Sequence, residues 1–383
     1  MTMLANLSCP TKVTFGPDAV ESLGAIVTGL NIRKALLVTG RHAVIDSGLR
    51  DRVVAILDAV GVESDLFSGV ESSPLSTTVE ALHLQLQENP SDCIIGIGGG
   101  SALDMAKFVA MLSTNGGQCS DYETGKAITK PSLPFIAIPT TSGSGSEVTP
   151  YSVVNNAVTG RKFTSSSPSM HPVHAIVDPL LTVGLPKMAT RASGVDAWVQ
   201  ALEAYLSQLP NPLIDIWAEH AIRKIFKALP SVLQDPENVS ARTAMSEASL
   251  LAGLSIAHVR TGMIHTLSVS LEPWVKQPHG FLNGVITPYV LNFNSGYYGN
   301  RLQNVAEWHS GHKVTSDSDA ITIITDWLKS VGIPAGLATY SVDLVKVHNM
   351  VERVKQDKGL STVNVRPFTE DDIRATLTSI LEH

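Results

Sequence analysis

Apolar runs and amphipathic segments alternate along the first half of the chain. Short runs rich in β-branched residues cover residues 35–39, 93–97 and 135–138. Between them, apolar residues recur with the helical period over residues 48–60 and 77–87. Continuous apolar strands that alternate with helices are typical of a parallel sheet covered by helices on both faces. The pattern predicts a Rossmann-like α/β domain with a parallel sheet.

The pattern changes near residue 185, where Pro179 and Pro186 interrupt the chain. Beyond this point the helical period dominates, over residues 190–207, 213–229, 241–258 and 318–331. We therefore expect an α/β domain over residues 1–185 and an all-helical domain over residues 186–383. The position of the boundary depends on this change of pattern alone.

Glycines gather where the strand at residues 93–97 ends and a helix begins. At Gly98, Gly99 and Gly100 the backbone N–H groups can approach a pyrophosphate, and the helix dipole favours negative charge there. Ser101 and Asp104 also form an S-x-x-D capping box, so part of the pattern is helix-start chemistry. The glycine spacing departs from the usual dinucleotide fingerprint, and the chain lacks a Walker A sequence, which argues against a kinase or ATPase.

A second loop, Pro-Thr-Thr-Ser-Gly-Ser-Gly-Ser-Glu at residues 139–147, follows the strand at residues 135–138. Ligands bind at the carboxyl ends of strands in open α/β sheets, so the two loops together predict a clasp around one dinucleotide. The alternative is that each loop is an ordinary surface turn. The predicted cofactor contacts in and near the loops are Gly98, Gly99, Gly100, Ser101, Asp104, Thr140, Thr141, Ser144 and Lys162.

Composition narrows the class of protein further. A net charge of −7 gives nucleic acid or an anionic membrane no electrostatic reason to bind, so we expect neither partner. Apolar runs are far shorter than the roughly 20 residues of a membrane span. The three cysteines are widely spaced and form no C-x-x-C pair, which fits a reducing cytoplasm. The chain is predicted to be a cytoplasmic enzyme that acts on small molecules.

The two loops resemble the signatures of the iron-containing (group III) alcohol dehydrogenases. Those signatures, GGGSxxDxAK and PTTxGTGSEVT, match residues 98–107 and 139–149, with Ser144 as the one departure, from Thr. The likeness spans roughly residues 10 to 300. It implies a dinucleotide-binding N-terminal domain, a helical C-terminal domain, and metal and substrate in the cleft between them. Dimers are common in relatives, so a homodimer is expected.

The resemblance also implies a metal site with one altered ligand. The family takes an Asp and a His four residues apart on one helix, then two His fourteen residues apart. Here these positions are Asp196, Gln200, His265 and His279. The neutral amide of Gln200 is a weaker ligand than imidazole, so we expect Fe²⁺ or Zn²⁺ to bind weakly or not at all.

Two further residues bear on this site. A His that lies by the nicotinamide in many relatives corresponds to Val269 here, which removes a candidate proton relay. His258 precedes His265 by seven residues, about two helical turns, and is a candidate replacement ligand.

These residues predict an oxidoreductase that transfers a hydride between a nicotinamide cofactor and a small alcohol or aldehyde. Asp196, His265 and His279 are the predicted catalytic residues, as metal ligands or, without metal, with a protonated histidine stabilising the alkoxide. The alternatives are a metal-free reductase of the maleylacetate reductase type, a lyase similar to dehydroquinate synthase, and a nucleotide-binding protein without turnover.

The end of the strand at residues 35–39 bears on the choice between NADP and NAD. In NAD-preferring relatives an Asp follows this strand and binds the adenosine ribose hydroxyls. Here Gly40 stands in its place and Arg41 follows, which leaves room and charge for a 2′-phosphate. We therefore expect NADP to be favoured over NAD. The alternative is that Gly40 allows a tight turn and Arg41 is a solvated surface charge.

Overall fold

A computed structural model describes residues 7–209 and 211–383. The chain divides into two compact units, of which one comprises Ser8–Val183 and the other Gly184–His383. Each unit has its own hydrophobic core. Among the described residues, no helix is both long and apolar enough to cross a membrane.

The first unit is built on a six-stranded sheet in which all strands are parallel. Its order is β1-β8-β5-β4-β2-β3, and β6 and β7 form a separate antiparallel hairpin. The strands are β1 Lys12–Phe15, β2 Lys34–Gly40, β3 Glu63–Val70, β4 Cys93–Gly98, β5 Phe135–Pro139, β6 Tyr151–Asn155, β7 Lys162–Ser166 and β8 His174–Val177.

Helices cover both faces of this sheet, because the central strands are apolar on both sides. Leu36 and Ile94 belong to one core cluster, whereas Leu37 and Ile95 belong to the other, as expected for side chains that alternate along a strand. The helices are α1 Leu23–Gly29, α2 Ala43–Asp46, α3 Leu49–Ala59, α4 Ser76–Glu88, α5 Gly100–Asn115 and α6 Cys119–Glu123. The predicted Rossmann-like α/β fold is confirmed.

The second unit is helical, as predicted. Helix α7 is its central element: most of its residues are buried, and it packs against α8, α9 and α11. Trp198 of α7 lies in the core against Phe226 and Trp327. The helices are α7 Lys187–Leu206, α8 Pro212–Gln234, α9 Val239–Val259, α10 Met263–Leu271, α11 His279–Phe293, α12 Arg301–Ser310, α13 Asp317–Ser330, α14 Val347–Val354, α15 Leu360–Val363 and α16 Glu370–Glu382.

The predicted capping box at the start of α5 is wrong. The helix begins at Gly100, so Gly99 is the N-cap residue and no side chain caps the helix. Ser101 therefore lies inside the first turn, and its Oγ donates a hydrogen bond to the carbonyl oxygen of Ser72 at 2.6 Å. The glycines, rather than a capping side chain, shape this helix start.

Candidate cofactor loops and metal centre

The glycine loop joins β4 to α5, and two of its glycines are required by packing within the protein. Gly98 has a φ of +148°, and a Cβ there would lie 2.8 Å from the Cβ of Ala102. A Cβ on Gly100 would lie 2.8 Å from both Cβ and Oγ of Ser144. The fold alone therefore accounts for glycine at Gly98 and Gly100.

Gly99 is different, because the protein leaves room for a side chain there. A Cβ on Gly99 would meet Thr141 Cγ2 at 3.4 Å, which is ordinary contact, and its φ of −77° suits any residue. Packing within the protein therefore does not require glycine at this position, and the close approach of a pyrophosphate remains our prediction for it.

The second loop starts beside the first. Strands β4 and β5 are neighbours, and the backbone N–H of Thr140 donates to the carbonyl oxygen of Gly98 at 2.9 Å. Thr141 and Ser144 are partly exposed and adjoin the glycine loop. The structure thus brings together the two loops that the sequence predicted, at the carboxyl ends of adjacent parallel strands, where α/β sheets bind ligands.

Asp104 joins α5 to the region after the second loop. Its Oδ1 accepts a hydrogen bond from Ser146 Oγ at 2.6 Å, and its Oδ2 accepts one from the backbone N–H of Val153 at 3.1 Å. Both carboxylate oxygens therefore have partners within the same unit. The roles of all the predicted cofactor contacts, Asp104 and Lys162 included, remain predictions.

Lys107, one helical turn further along α5, is buried with 1% of its surface exposed. Its Nζ donates hydrogen bonds to oxygen atoms of the second loop and the start of β6. The acceptors are the carbonyl oxygens of Ser146 at 2.8 Å, Thr149 at 2.9 Å and Tyr151 at 2.7 Å, and the hydroxyl of Ser146 at 3.0 Å. Lys107 thus binds the second loop to α5.

Two buried ionisable groups near this loop have displaced pKa values. Burial lowers the pKa of Lys107 to about 8, against the opposing charges of Asp104 and Glu147. Burial raises the pKa of Glu147 to about 7, against its own N–H hydrogen bond and the charge of Lys107. At neutral pH Lys107 is therefore mainly protonated.

The end of β2 leaves space for a side chain at Gly40. Gly40 pairs with Val70 of β3, and a Cβ on Gly40 would meet only the Val70 carbonyl oxygen, at 3.9 Å. Gly40 does not adopt a positive φ, so a left-handed turn is not the reason for glycine here. Arg41, the next residue, is exposed to solvent.

In the helical unit, three predicted ligands converge from three helices. Asp196 lies in the middle of α7, His265 in the first turn of α10, and His279 at the start of α11. One ligand atom of each lies within 4.8 Å of the others. Asp196 Oδ1 lies 3.5 Å from His265 Nε2 and 3.9 Å from His279 Nε2. A carboxylate oxygen and two imidazole nitrogens thus face one point.

Two carboxylates orient the imidazole rings. Nδ1 of His265 lies 2.6 Å from Oε2 of Glu203, and Nδ1 of His279 lies 2.6 Å from Oε1 of Glu272. With each Nδ1 engaged in this way, each Nε2 is left to face Asp196. A carboxylate behind each imidazole is the usual second layer of a metal site, where it fixes the ring and strengthens the ligand.

In this cluster, the charge of each group favours ionisation of its neighbours. Burial by itself lowers the pKa of His265, but the carboxylates of Glu203 and Asp196 outweigh it and raise that pKa to about 9. Burial opposes ionisation of Asp196, yet hydrogen bonding and the charges of His265 and His279 hold its pKa below the ordinary value. Without metal, His265 and Asp196 therefore form an ion pair at neutral pH.

The remaining predicted ligand, Gln200, contacts the cluster through its amide nitrogen. Gln200 Nε2 donates to Asp196 Oδ2 at 3.1 Å, one helical turn away on α7. Asn283 Nδ2 donates to the other carboxylate oxygen at 2.8 Å. To bind a metal, Gln200 would have to present its amide oxygen instead.

Three of the residues present are suited to bind one divalent metal ion. His265 Nε2 is buried and, apart from its ion pair with Asp196 at 3.5 Å, makes no hydrogen bond within the described part of the chain, which leaves it open to an ion. One carboxylate and two imidazoles suit Fe²⁺ or Zn²⁺, whose structural and catalytic sites use the same donors. Asp196, His265 and His279 would hold such an ion, with Gln200 as a weak fourth ligand.

His258 and Val269 add no ligand to this cluster. The Nδ1 of His258 lies 2.7 Å from the carbonyl oxygen of Leu254, and its ring packs against Trp217. His258 is not a member of the metal-binding group found among the described residues, so the structure does not support it as a replacement ligand. Val269 is a partly exposed residue of α10.

Sequence reasoning missed Glu203, Glu272 and Asn283. A signal for Glu203 was present, because it follows Asp196 by seven residues on α7 and therefore shares its helix face. Glu272 lies just beyond α10, and its partnership with His279 depends on the turn between α10 and α11. No spacing rule points to it.

Comparison with known proteins agrees with this geometry. The model of the family "Iron-containing alcohol dehydrogenase" matches residues 10–179, and that of its C-terminal domain matches residues 190–381. The chain therefore belongs to the iron-containing alcohol dehydrogenase family, and the resemblance read from its motifs is confirmed.

Individual relatives cover nearly the whole chain. A 1,3-propanediol dehydrogenase of Klebsiella pneumoniae is 34% identical over 96% of each chain, and an NAD-dependent methanol dehydrogenase of Bacillus methanolicus is 31% identical over 99% of this chain and 100% of its own. The crystal structure of a 1,3-propanediol oxidoreductase superposes with a TM-score of 0.93 at 32% identity, covering 99% of this chain and 100% of its own.

A sulfoacetaldehyde reductase from Bifidobacterium kashiwanohense, solved in complex with NAD⁺, superposes with a TM-score of 0.89. It is 30% identical to this protein and covers 99% of both chains. Both the motifs and the fold thus place the chain among oxidoreductases of alcohols and aldehydes.

Gly99→Ala tests the glycine loop. The protein has room for the added methyl group, but the methyl group would block a phosphate that approaches the backbone N–H. We expect nicotinamide-nucleotide affinity to fall at least about tenfold, the equivalent of one lost charge-assisted hydrogen bond. Fluorescence titration measures it. Gly29→Ala, where a Cβ meets nothing within 4 Å, is the control. Unchanged affinity in folded Gly99→Ala protein would show that this glycine does not contact the cofactor.

Glu147→Gln tests the buried carboxyl through the pH dependence of stability. The folded protein keeps this proton up to about pH 7, whereas the unfolded chain releases it near the ordinary pKa of 4.5. Stability therefore falls as pH rises between these values, by up to about 3 kcal/mol for this group. Glutamine stays neutral and avoids the loss.

We expect wild type and Glu147→Gln to melt at similar temperatures at pH 5, and the variant to melt higher at pH 8. Glu88→Gln, an exposed change at the end of α4, serves as control. A melting-temperature difference that is the same at both pH values would contradict the raised pKa.

Proposed function

We propose that this protein catalyses hydride transfer between a nicotinamide cofactor and a small alcohol or aldehyde. The observation that carries the proposal is the convergence of Asp196, His265 and His279, each imidazole backed by a carboxylate, in a chain that also has the paired cofactor loops. Its relatives are named for 1,3-propanediol and methanol, which supports small, polar substrates.

Each unit has a distinct role in this reaction. The α/β unit binds the nicotinamide cofactor, which itself carries the hydride. In the helical unit, Asp196, His265 and His279 form the site that holds the substrate oxygen. A divalent metal bound by them would supply Lewis-acid polarisation of the carbonyl.

The side chains of the helical unit also act without metal. Protonated His265 directs an N–H toward the position of a developing alkoxide, and stabilises negative charge there. Glu203 keeps the other ring nitrogen of His265 occupied, so the ring cannot rotate away. Asp196 retains its negative charge beside it and sets the orientation of the imidazolium.

Metal occupancy of the natural protein is weak or substoichiometric in this proposal. Three strong ligands and an amide bind less tightly than four strong ligands, and the amide of Gln200 already serves Asp196 as a hydrogen-bond donor. The fraction of the protein that works with metal, rather than as a metal-free reductase, therefore depends on how much metal is available.

Gln200→His tests this point. An added imidazole one turn from Asp196 should raise Zn²⁺ or Fe²⁺ affinity at least about tenfold. Metal analysis after dialysis and competition with a chromogenic chelator measure the change. Gln234→His, which adds an exposed histidine at the end of α8, is the matched control. The proposal fails if the natural protein retains one equivalent through dialysis, or if Gln200→His leaves its metal content unaltered.

NADP is the favoured cofactor in this proposal. The absence of a carboxylate at Gly40 removes the repulsion of a 2′-phosphate, and exposed Arg41 offers it charge-assisted hydrogen bonds. Gly40 has no positive φ and a Cβ fits there, so glycine is not demanded by the backbone. A homodimer in the cytoplasm remains our expectation for the assembled enzyme.

Aldehyde-dependent oxidation of NADPH and NADH by the purified protein tests the reaction and the cofactor together. We expect turnover with short aldehydes and tighter binding of NADPH than of NADH. Arg41→Ala should weaken NADPH roughly tenfold or more, and Gly40→Asp should shift preference toward NADH. Arg33→Ala, at the opposite end of β2, is the control.

The outcomes separate the alternatives. Equal affinity for both cofactors, or an Arg41→Ala variant that binds NADPH as wild type does, would show that the end of β2 does not select the cofactor. Nucleotide binding without turnover on any aldehyde would favour a binding protein, and the proposed activity would be wrong.

A further inference from the structure

The ammonium group of Lys107 lies in a cage of oxygen atoms. Three carbonyl oxygens and one hydroxyl surround its Nζ at 2.7–3.0 Å, all from residues 146–151. Rings of backbone carbonyls at such distances are the ligands with which proteins bind monovalent cations such as K⁺. Lys107 is buried, so these bonds replace the water that its charge loses.

The cage is unfavourable for the loop by itself. Carbonyl dipoles that point at one centre repel one another, and a buried carbonyl without a donor costs free energy. A positive charge at the centre reverses the balance. The conformation of Ser146, Thr149 and Tyr151 therefore depends on the cation that α5 supplies.

The cage is connected to the predicted cofactor contacts. Ser146 Oγ contacts both Lys107 Nζ at 3.0 Å and Asp104 Oδ1 at 2.6 Å. The backbone N–H of Ser146 donates to Ser144 Oγ at 3.3 Å, and Ser144 adjoins Gly100 in the glycine loop. A short chain of contacts thus leads from the ammonium to the hydroxyl-bearing surface of the second loop.

We propose that Lys107 is a positioning residue for nicotinamide-nucleotide binding, acting as a built-in monovalent cation that holds the second loop in its binding conformation. The proposal rests on the nucleotide site proposed above. A direct contact between Lys107 and a phosphate is disfavoured, because the side chain is buried and its N–H donors are used within the protein.

Chemical rescue tests this role. Lys107→Ala removes three carbons and the ammonium, which is the structure of n-propylammonium. We expect the variant to bind NADPH at least about tenfold more weakly than wild type, since several charge-assisted hydrogen bonds to the loop are lost. Addition of n-propylammonium should restore affinity, whereas n-propanol, of the same length but uncharged, should not.

Three controls accompany the rescue. Lys126→Ala removes an exposed lysine that also donates to a carbonyl oxygen, that of Gly116, outside the second loop. Lys107→Met keeps the length of the side chain without its charge, and covers the case in which Lys107→Ala does not fold. Wild type with n-propylammonium measures the effect of the added salt. Melting temperatures are recorded for every sample.

The expected result is weak NADPH binding by Lys107→Met and Lys107→Ala, rescue of the latter by n-propylammonium alone, and no change in Lys126→Ala. NADPH binding by Lys107→Met at the affinity of wild type would overturn the proposal. So would a loss that n-propylammonium does not reverse in folded Lys107→Ala protein, since that marks a general packing defect.

Failure of the proposed function gives a different pattern. Wild-type protein would then bind neither NADPH nor NADH, whatever the state of Lys107. In that case the melting temperature of Lys107→Ala still reports on the cage, because n-propylammonium and not n-propanol should raise it. A melting temperature that responds equally to both compounds would reject the cation role.

Discussion

The carboxylate of Glu203 makes the contacts on which the candidate metal centre depends. It accepts hydrogen bonds from the backbone N–H groups of Gly262 and Ile264 and also lies 2.6 Å from His265 Nδ1. One side chain of α7 therefore caps the start of α10 and fixes the ring that this helix carries. The negative charge suits the positive end of the α10 dipole, and it raises the pKa of His265. The same carboxylate thus stabilises the start of α10 and orients the imidazole of His265.

Much of the fold could be predicted, because burial dictates the apolar pattern. Strand β4 is buried on both faces and reads as a continuous apolar run, and the amphipathic helices of the second unit were found within a few residues of their ends. The edge strands and the β6–β7 hairpin gave weaker patterns: in β1 the exposed residues Val13 and Phe15 are apolar, which conceals any alternation.

The site was predictable only in part. Asp196, His265 and His279 stand at spacings that a family motif records, whereas the partners that orient them were found only in three dimensions. Glu203 and His265 are 62 residues apart, so their contact follows from how α7 and α10 pack. The capping interpretation of Ser101 was wrong for the same reason: its partner, Ser72, is 29 residues away and no local rule includes it.

The packing of the glycine loop has a consequence for how such motifs are preserved. Gly98 and Gly100 are held by steric contact with their own chain, and Asp104 and Lys107 by internal hydrogen bonds. Folding alone therefore accounts for most of the signature. A descendant protein that had lost enzymatic activity would keep these residues and would still match the family motif. At Gly99, where the protein has room for a methyl group, a substitution would not disturb the fold. A change at this position would therefore be a sign that cofactor binding had been lost.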